Sequence, residues 1–308
     1  MSRRDHSVVD EIVVRALAED LGVPAGAFAV GFDVVREALS RDVTTAGVVP
    51  RGSVFAGRIV AREAGIVCGL LAAERVFALL AGSAGVAGGI EFEALTAEGD
   101  VVGAGDAVAR VSGDAAVILA GERTALNFLM VLSGIATAAA RWQKAAGPGV
   151  AVFDTRKTLP GLRALTKWAV ACGGAHPHRS SLWDMVLIKD NHVRLAGGLA
   201  AAVTAAREAY PELPIEAEAD TVEQAAEAAS AGADVVLLDN MDAATMCRAV
   251  EAVREASAGR ETRCLTEASG GVTLERVPEI VATGVDRIST SALGLAPPLD
   301  FGFDEQTA

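Results

Sequence analysis

The chain has 308 residues, and 51% of them are hydrophobic. Its 27 basic and 40 acidic side chains give a formal net charge of −13. This length and apolar content suit two modest domains or one large α/β domain, and they exclude a wholly disordered protein. The acidic balance disfavours nucleic acid or an anionic membrane surface as a general partner.

No membrane span or secretion signal is predicted. No apolar run approaches the roughly 20 residues of a transmembrane helix, and the N-terminus leads into a charged, helix-like stretch instead of an apolar signal core. The four cysteines, Cys68, Cys172, Cys247 and Cys264, lie far apart without a Cys-x-x-Cys pair. This usage indicates free thiols instead of a disulfide or zinc scaffold. We therefore expect a globular protein of the cytoplasm.

The first part of the chain predicts a small α+β domain. Its helix-like and strand-like stretches are, in chain order, Val8–Leu21, Phe32–Leu39, Ser53–Ala61, Leu70–Leu80 and Ile90–Leu95. Gly-Asp pairs at Gly99 and Gly105 then indicate a β-hairpin with tight turns. A long helical stretch, Ala115–Ala146, follows, and its Ser133-Gly134 pair predicts a break.

The second half of the chain repeats one pattern, a short β-branched run, a polar residue and an alanine-rich helical stretch. The predicted strands are Val150–Phe153, Met185–Ile188, Pro214–Ala217, Val235–Leu238, Arg263–Thr266 and Asp286–Ile288. The predicted helices include Leu162–Ala171, Leu199–Tyr210, Val222–Ala231 and Ala243–Ala256. Asp220 and Asp242 are candidate N-caps. Successive βα units imply parallel strands, in either an open sheet or a barrel.

Polar residues that follow the predicted strands point to a site. They are Asp154, Lys189, Glu218, Asp239, Glu267 and Ser289, and Arg156 and Lys157 come shortly after the first of them. In a barrel the carboxyl ends of all strands converge on one mouth. A purely structural sheet needs no polar residue at each of these ends, so the pattern favours a site over coincidence.

A basic island lies in the same region of this otherwise acidic chain. Between Asp154 and His192 there are six basic and three acidic side chains, and three of the four histidines fall here. Positive clefts focus the electric field and attract small anions. For Arg163 and Lys167, four residues apart, we favour the alternative of a solvated helix face. The remaining cations predict a site for a small anion.

Several motifs carry a resemblance to a known family. The longest are Asp154-Thr-Arg-Lys-Thr-Leu-Pro-Gly-Leu-Arg163, Cys172-Gly-Gly-Ala-His-Pro-His-Arg179 and Asp184-Met-Val-Leu-Ile-Lys-Asp-Asn-His192. With them come Glu122-Arg-Thr-Ala-Leu-Asn-Phe-Leu, Leu132-Ser-Gly-Ile-Ala-Thr137, Leu238-Asp-Asn-Met241 and Glu267-Ala-Ser-Gly-Gly271. Together they resemble the quinolinate phosphoribosyltransferase family (nicotinate-nucleotide pyrophosphorylase, carboxylating). The matches run in order and at family spacing from about residue 120 to residue 290, and the first 110 residues match only in outline.

The resemblance implies an α/β fold like that of type II phosphoribosyltransferases. An N-terminal α/β sandwich domain is expected over residues 1–130, joined by the C-terminal tail 292–308. An incomplete (β/α) barrel of parallel strands is expected over residues 131–291 as the catalytic domain. The six strands predicted above agree with this expectation.

The implied activity is phosphoribosyl transfer from phosphoribosyl pyrophosphate (PRPP) to quinolinate with decarboxylation, which gives nicotinate mononucleotide, CO₂ and pyrophosphate. Quinolinate has two adjacent carboxylates, so its pocket needs several cations, and arginines give planar, bidentate contacts. The resemblance implies substrate-binding roles for Arg123, Thr155, Arg156, Lys157, His178, Arg179 and Lys189. In the family the equivalent of Arg123 reaches the neighbouring subunit's site, which implies a homodimer or a higher oligomer. Without the resemblance, Arg123 indicates only a helix-surface ion pair with Glu122.

The second substrate implies further roles. Catalytic residues are expected to be Lys157, Lys189, Glu218 and Asp239. The two carboxylates can bind ribose hydroxyls or Mg²⁺, the expected cofactor, and stabilise the cationic sugar that develops as pyrophosphate leaves. Backbone N–H groups before a helix bind phosphate. The phosphate site is accordingly expected at Ser269, Gly270, Gly271, Ser289, Thr290 and Ser291.

Three positions depart from the family pattern. Pro177 and Ser181 replace an asparagine and a glycine near His178, and Ser291 replaces a glycine, at a cost of about 1 kcal/mol if that position is left-handed. Two alternative functions follow, a paralogue acting on a different aromatic acid and a non-catalytic anion-binding relative. A zinc site at His176, His178 and His192 is a further alternative, which neighbouring cations disfavour.

Overall fold

The computed structural model describes residues 3–30, 32–86 and 89–305. The chain divides into two compact units. The first comprises Met1–Thr137, Leu159–Gly173 and Ala296–Ala308, and the second comprises Ala138–Thr158 and Gly174–Leu295. The segment 159–173 and the C-terminal tail therefore group with the N-terminal residues, whereas the sequence prediction placed 159–173 in the barrel.

The first part of the chain forms helices and antiparallel strands, and the second part alternates parallel strands with helices. Up to the long helix they are α1 (Arg3–Asp20), α2 (Ala27–Val30), α3 (Phe32–Leu39), α4 (Val43–Val48), β1 (Val54–Ala61), β2 (Gly65–Ile66), α5 (Leu70–Ala84), β3 (Ile90–Ala94), β4 (Val101–Val102), β5 (Ala107–Asp114) and α6 (Ala115–Ala146). Beyond it they are β6 (Ala151–Phe153), α7 (Arg163–Cys172), β7 (Val186–Ile188), α8 (Asp190–Ala196), α9 (Leu199–Ala209), β8 (Ile215–Ala219), α10 (Val222–Ser230), β9 (Val235–Asp239), α11 (Ala243–Ala256), β10 (Leu265–Ser269), a 3₁₀ turn (Leu274–Arg276), α12 (Val277–Ala282), β11 (Arg287–Ser289) and β12 (Phe301–Glu305).

The first unit is built on an antiparallel sheet with strand order β12-β1-β5-β3. Ile59 of β1 pairs with Phe303 of the C-terminal strand on one side and with Ala109 of β5 on the other. Leu17 of α1 and Phe77 of α5 are buried, so these helices supply an apolar face to the core of the unit. A separate two-stranded ladder joins β2 to β4.

The second unit is a six-stranded parallel sheet with strand order β6-β11-β10-β9-β8-β7. Residues of the central strand β9 are buried from Val235 to Leu238, as expected for a parallel strand covered on both faces. In the part of the chain that the structure describes, β6 and β7 are the two ends of the sheet and no ladder joins them. The prediction of an α/β fold with an N-terminal sandwich and an incomplete parallel barrel is confirmed.

Side-chain caps start the helices α10 and α11. Asp242 caps α11, since its Oδ1 accepts a hydrogen bond from the Thr245 amide at 2.7 Å. The other predicted cap, Asp220, is wrong by one residue, because the hydroxyl of Thr221 accepts the Gln224 amide at 3.2 Å at the start of α10.

Helix α6 runs without interruption from Ala115 to Ala146, so the predicted break at Gly134 is wrong. A Cβ atom at this glycine would lie 2.9 Å from Cα of Pro298, so the glycine permits close approach of the C-terminal tail. The helix is also long and apolar enough to cross a membrane by length and composition, contrary to the expectation that no stretch qualifies. However, 56% of its most apolar window is buried inside the protein, as in the core helix of a soluble fold.

Helix α7 belongs to the first unit and buries more of its surface than predicted. Lys167 is only 6% exposed, so the solvated helix face expected for this residue is wrong, whereas Arg163 on the same helix is half-buried. Leu165 and Val170 on the same helix are fully buried. The helix ends at Cys172, just before the two glycines at 173 and 174.

Candidate active site

A cavity of about 500 Å³ lies at the carboxyl ends of the barrel strands. It is lined by twelve of the side chains and glycines that the sequence singled out, Thr155, Arg156, Lys157, His178, Arg179, Lys189, Glu218, Asp239, Ser269, Gly270, Gly271 and Ser289. The parallel topology accounts for this convergence, because all six strands end at the same rim. The same cavity is also lined by Leu187, Leu237, Asn240 and Glu267.

Two arginines give this cavity positive charge. Arg156 comes from the segment after β6, and Arg179 from the loop before β7. Burial, and then the positive charge of Arg156, lower the pKa of Arg179. Like charges held this close favour an anionic ligand between or beside them. Lys157 and Lys189 add two further ammonium groups to the lining.

The loop that carries His178 and Arg179 is fixed by backbone contacts. The buried carboxylate of Asp154 accepts a hydrogen bond from the His178 amide at 2.7 Å. His176 extends the sheet by a parallel bridge to Phe153, and its ring lies 5.3 Å from the Phe153 ring. These contacts explain why a loop without helix or strand can position two binding side chains.

The loop that contains the departures Pro177 and Ser181 is held by hydrogen bonds to Asp184. Pro177 has no backbone N–H to donate, but the residue is exposed. The missing donor therefore leaves no buried acceptor unsatisfied at this position. The Ser180 and Ser181 amides donate to the two carboxylate oxygens of Asp184 at 2.6 and 3.1 Å. Pro177 and Ser181 do not line the cavity.

A buried charge cluster lies behind His178. Its Nε2 atom is 3.1 Å from Oε2 of Glu216 and 3.4 Å from Oε1 of Glu267, and both carboxylates are fully buried. Burial disfavours a charged imidazole, but the two carboxylates outweigh it and raise the pKa of His178 to about 10. Burial and the charge of Glu267 raise the pKa of Glu216. The amide of Arg179 donates to Nδ1 at 2.8 Å, which favours the neutral ring and opposes the carboxylates.

The ends of β8 and β9 present carboxylates to the cavity. Glu218 forms an ion pair with the ammonium of Lys189, and the Glu218 side chain is 13% exposed. Asp239 accepts a hydrogen bond at 2.6 Å from the side-chain amide of Asn240. Asn240 has φ +54°, the sole positive φ of a non-glycine residue among the described positions. Asparagine tolerates this left-handed conformation better than most residues.

The turn after β10 is shaped by its glycines. Gly270 and Gly271 have φ angles of +78° and +56°. A Cβ at Gly270 would lie 2.8 Å from the backbone nitrogen of Asn240, so only glycine fits there. Ser289 donates a hydrogen bond to Oγ of Ser269 at 3.1 Å, which links the ends of two strands beneath the turn. The turn precedes the 3₁₀ turn and α12, and Ser269, Gly270 and Gly271 line the cavity.

Three predicted site residues are not among the cavity lining. Thr290 is buried, and its hydroxyl accepts the Ala292 amide at 3.2 Å. Ser291 is half-buried without a positive φ, so the strain anticipated there is absent. Arg123 is exposed on α6 in the first unit, where it lines a different cavity with Asp20 and Arg41.

The alternative zinc site is not assembled. His192 is at the start of α8, where its Nδ1 accepts the Lys189 amide at 2.9 Å. His176 stacks on Phe153. The metal-ligand grouping at His178 within the described part of the chain involves Glu216 and Glu267 instead.

Sequence reasoning assigned no role to Glu216, Glu267 or Asn240. Glu216 is two residues before Glu218, and strand periodicity places both side chains on the same face of β8. Glu267 is among the strand-end polar residues that predict a site, but its position along the sequence predicts no particular chemical role. The signal for Asn240 was its position directly after a strand, in an Asp-Asn turn.

Comparison with known proteins identifies the family. The family description "Quinolinate phosphoribosyl transferase, C-terminal domain" matches residues 135–304, and its N-terminal counterpart matches residues 42–133. The chain belongs to the quinolinate phosphoribosyl transferase family. A probable nicotinate-nucleotide pyrophosphorylase [carboxylating] from Synechocystis is 43% identical over 76% of this chain and 77% of that protein. A nicotinate-nucleotide pyrophosphorylase [carboxylating] from Mycobacterium leprae is 38% identical over 88% of this chain and 96% of that protein.

Solved structures agree with this family assignment. A nicotinate-nucleotide pyrophosphorylase from Ehrlichia chaffeensis has a TM-score of 0.82 and 31% identity, covering 99% of each chain. One from Francisella tularensis has a TM-score of 0.77 and 32% identity, covering 92% of this chain and 98% of the other. The resemblance drawn from the sequence motifs is therefore confirmed at the level of family and fold.

Proposed function

We propose that this member of the quinolinate phosphoribosyl transferase family is a pentosyltransferase that converts quinolinate and PRPP into nicotinate mononucleotide, CO₂ and pyrophosphate, a step of NAD biosynthesis. One observation carries the proposal. Arg156, Lys157, Arg179 and Lys189 line a single cavity together with the carboxylates of Glu218 and Asp239. A dianionic acceptor and a sugar that becomes cationic need this combination of charges.

Recognition of quinolinate rests on the cationic side of the cavity. Guanidinium groups pair with carboxylates through two parallel hydrogen bonds, so Arg156 and Arg179 suit its two adjacent carboxylates. Thr155, Lys157 and His178 border the same space. The repulsion between the two arginines is relieved when the dianion binds, which adds to the affinity.

Recognition of PRPP rests on other residues of the same cavity. The amides of Ser269, Gly270 and Gly271 form a glycine turn of the kind that binds phosphate, before the 3₁₀ turn and α12. Glu218 and Asp239 accept hydrogen bonds from ribose hydroxyls. Ser289 holds Ser269 in place through the hydroxyl pair at 3.1 Å.

Glu218 and Asp239 also fit a Mg²⁺ ion as cofactor. Their hard carboxylate oxygens face one cavity at neighbouring strand ends, and Mg²⁺ prefers one or two such ligands together with substrate phosphates. When bound, Mg²⁺ supplies positive charge that stabilises the departing pyrophosphate. The ion pair between Lys189 and Glu218 can separate when substrates enter, which frees both groups for them.

The reaction follows from these positions. The ribose C1–oxygen bond breaks with its electron pair on pyrophosphate, and the carboxylates of Glu218 and Asp239 stabilise the positive sugar. The ring nitrogen of quinolinate then donates its lone pair to C1. The resulting pyridinium accepts the electrons of the C2–carboxylate bond as CO₂ leaves, and a proton takes the vacant position on the ring. Lys157 and Lys189 line the cavity and are the groups that neutralise the substrate charges.

Assembly belongs to the proposal as well. Arg123, exposed on α6, supplies a cation to the active site of a second copy in a homodimer. A mixing experiment tests this arrangement: Arg123→Ala and Arg179→Ala proteins, each inactive alone, should regain part of the activity when combined. No recovery after verified subunit exchange would contradict it. We place the enzyme in the cytoplasm, where soluble nucleotide synthesis occurs.

The direct test is a substrate panel. Purified protein with quinolinate, PRPP and Mg²⁺ should release nicotinate mononucleotide, CO₂ and pyrophosphate in equal amounts. Nicotinate serves as the control acid, because it lacks the C2 carboxylate and should turn over poorly. Turnover of another aromatic acid in place of quinolinate would indicate a paralogous specificity, and binding without turnover of any acid would indicate a non-catalytic relative.

A further inference from the structure

Cys68 and Cys172 are far apart in the sequence but lie close together in the first unit. The sulfur atoms of Cys68 and Cys172 and a carboxylate oxygen of Glu98 all lie within 4.8 Å of one another. All four cysteines are free thiols, as predicted from the sequence, and the remaining two are Cys247 and Cys264. The proximity of Cys68 and Cys172 is a product of the fold and has no sequence signature.

The first thiol is held in a rigid setting. Cys68 is fully buried, and its backbone amide and carbonyl both bind the hydroxyl of Ser133, at 2.9 and 3.0 Å. The preceding residue Val67 pairs with residues 99 and 100, which continues the β2–β4 ladder. The carboxylate of Glu98 lies close to Cys68 because it accepts hydrogen bonds from the amides of Gly69 and Leu71 at the start of α5.

The second thiol is at the end of a helix and is accessible. Cys172 is the last residue of α7, and its side chain is only partly buried. Its carbonyl oxygen packs against Gly99, where a Cβ would lie 3.3 Å away. The pair is therefore asymmetric, with one half-buried cysteine that a small oxidant can approach and one fully buried cysteine beside it.

We propose that Cys68 and Cys172 form a redox-active dithiol that closes an intrachain disulfide on reaction with a small-molecule disulfide such as oxidised glutathione. The Cys172 thiolate attacks one sulfur of the oxidant, which forms a mixed disulfide and releases one thiolate. Cys68 then loses its proton and attacks the Cys172 sulfur, which releases the second thiolate. Two protein thiols lose two electrons, and the oxidant becomes two thiols that take up the two protons.

The electrostatic setting supports this order of attack. Contact with the Cys68 thiol lowers the pKa of Cys172. Contact with Cys172, together with burial, raises the pKa of Cys68. The half-buried Cys172 is therefore the thiolate that reacts first, and the fully buried Cys68 reacts once Cys172 carries the mixed disulfide. Burial also raises the pKa of Glu98, so this carboxylate can accept a proton beside the two thiols.

A metal site is the competing assignment for the same atoms. Both carboxylate oxygens of Glu98 are already engaged by backbone amides at 2.8 and 3.0 Å. The grouping offers three protein ligands, whereas structural zinc sites use four, mostly cysteine and histidine. These observations favour the dithiol over the metal.

The test uses the full-length wild-type protein, so it does not depend on the folding of a variant. Reduced protein is treated with oxidised glutathione, alkylated and mapped by mass spectrometry without reduction. The expected result is a Cys68–Cys172 cross-linked peptide pair, reversed by dithiothreitol, with Cys247 and Cys264 alkylated. Stable glutathione on Cys172 without closure, a disulfide that involves another cysteine, or no oxidation would overturn the proposal.

Variants then separate the two steps. Cys68→Ala should stop at one glutathione on Cys172, and Cys172→Ser should leave Cys68 unmodified. The matched control is the Cys247→Ser/Cys264→Ser double variant, which should oxidise as the wild type does. Stoichiometric zinc in the purified protein, absent from Cys68→Ala and protecting the thiols from oxidation, would assign the site to a metal instead.

Discussion

The Nε2 atom of His178 lies 3.1 Å from a carboxylate oxygen of Glu216 that is shielded from solvent. Glu267 approaches the same nitrogen from β10 at 3.4 Å. No hydrogen bond of good geometry reaches the oxygens of either carboxylate from the described residues. The imidazole is thus the cation that faces two buried negative groups, and this ionic contact holds it at the cavity wall.

Replacing Glu216 by glutamine should loosen this support. The neutral amide removes the charge attraction between the two side chains, and close charge pairs have coupling energies of about 1.5 kcal/mol or more. We expect kcat/KM for quinolinate to fall by about 10-fold to 100-fold. Steady-state kinetics with each substrate varied in turn measure the effect. Glu251→Gln, an exposed substitution on α11, is the matched control. Wild-type kinetics in the Glu216→Gln protein would show that the cluster has no part in binding.

The charge on His178 should make stability depend on pH. Its pKa in the folded protein is raised to about 10, against the usual value of 6.5. A group with a raised pKa stabilises the fold fully below its unfolded pKa and loses that contribution as the pH rises toward the folded pKa. Stability should therefore decline between about pH 6.5 and pH 10.

Two measurements check this prediction. Denaturant unfolding across that range should show a loss in the wild type that is smaller in His178→Gln. NMR of the labelled imidazole should show a ring that stays charged through neutral pH. If the imidazole of His178 instead loses its proton below pH 6.5, the hydrogen bond from the Arg179 amide to Nδ1 outweighs the two carboxylates and keeps the ring neutral.

Sequence patterns predict much of the second unit because its rules are local and periodic. A parallel strand in a covered sheet is a short β-branched run, and the residue after it lies at the rim, so the strand pattern alone places Lys189, Glu218 and Asp239 together. The start of α11 follows from the polar cap Asp242, and the predicted cap of α10 is wrong by one residue, at Thr221.

The features that sequence patterns miss depend on contacts between distant segments. Gly134 is typical of a helix break, but the tail at Pro298 packs against it and the helix continues. The burial of Lys167 reflects the packing of α7 in the first unit, which no spacing along the chain encodes. The same holds for the meeting of Cys68 and Cys172, which are brought together by the ends of separate elements.

Arg179 should discriminate between the two substrates. Removing one partner of a buried charge pair costs about 2–5 kcal/mol, so Arg179→Ala should weaken quinolinate binding by about 100-fold or more. Arg179→Lys should recover only part of it, because a point charge cannot form the bidentate contact. PRPP binding should change little. Calorimetry measures the affinity of each variant for quinolinate and for PRPP. The exposed substitution Arg248→Ala is the control. Equal loss for both ligands would mean that the arginine serves the whole cavity and has no preference for the acid.

The glycine turn after β10 should be intolerant of a methyl group. Gly270→Ala places a Cβ 2.8 Å from the Asn240 nitrogen at a φ of +78°. The left-handed conformation alone costs about 1–2 kcal/mol, and the collision must also move Asn240 and its partner Asp239. Gly259→Ala is the matched control, since that glycine has φ +86° with nothing within 4 Å. Both variants should lose thermal stability, but only Gly270→Ala should raise the KM for PRPP, by about 10-fold or more. A normal KM in Gly270→Ala protein that remains folded would remove the turn from the phosphate site.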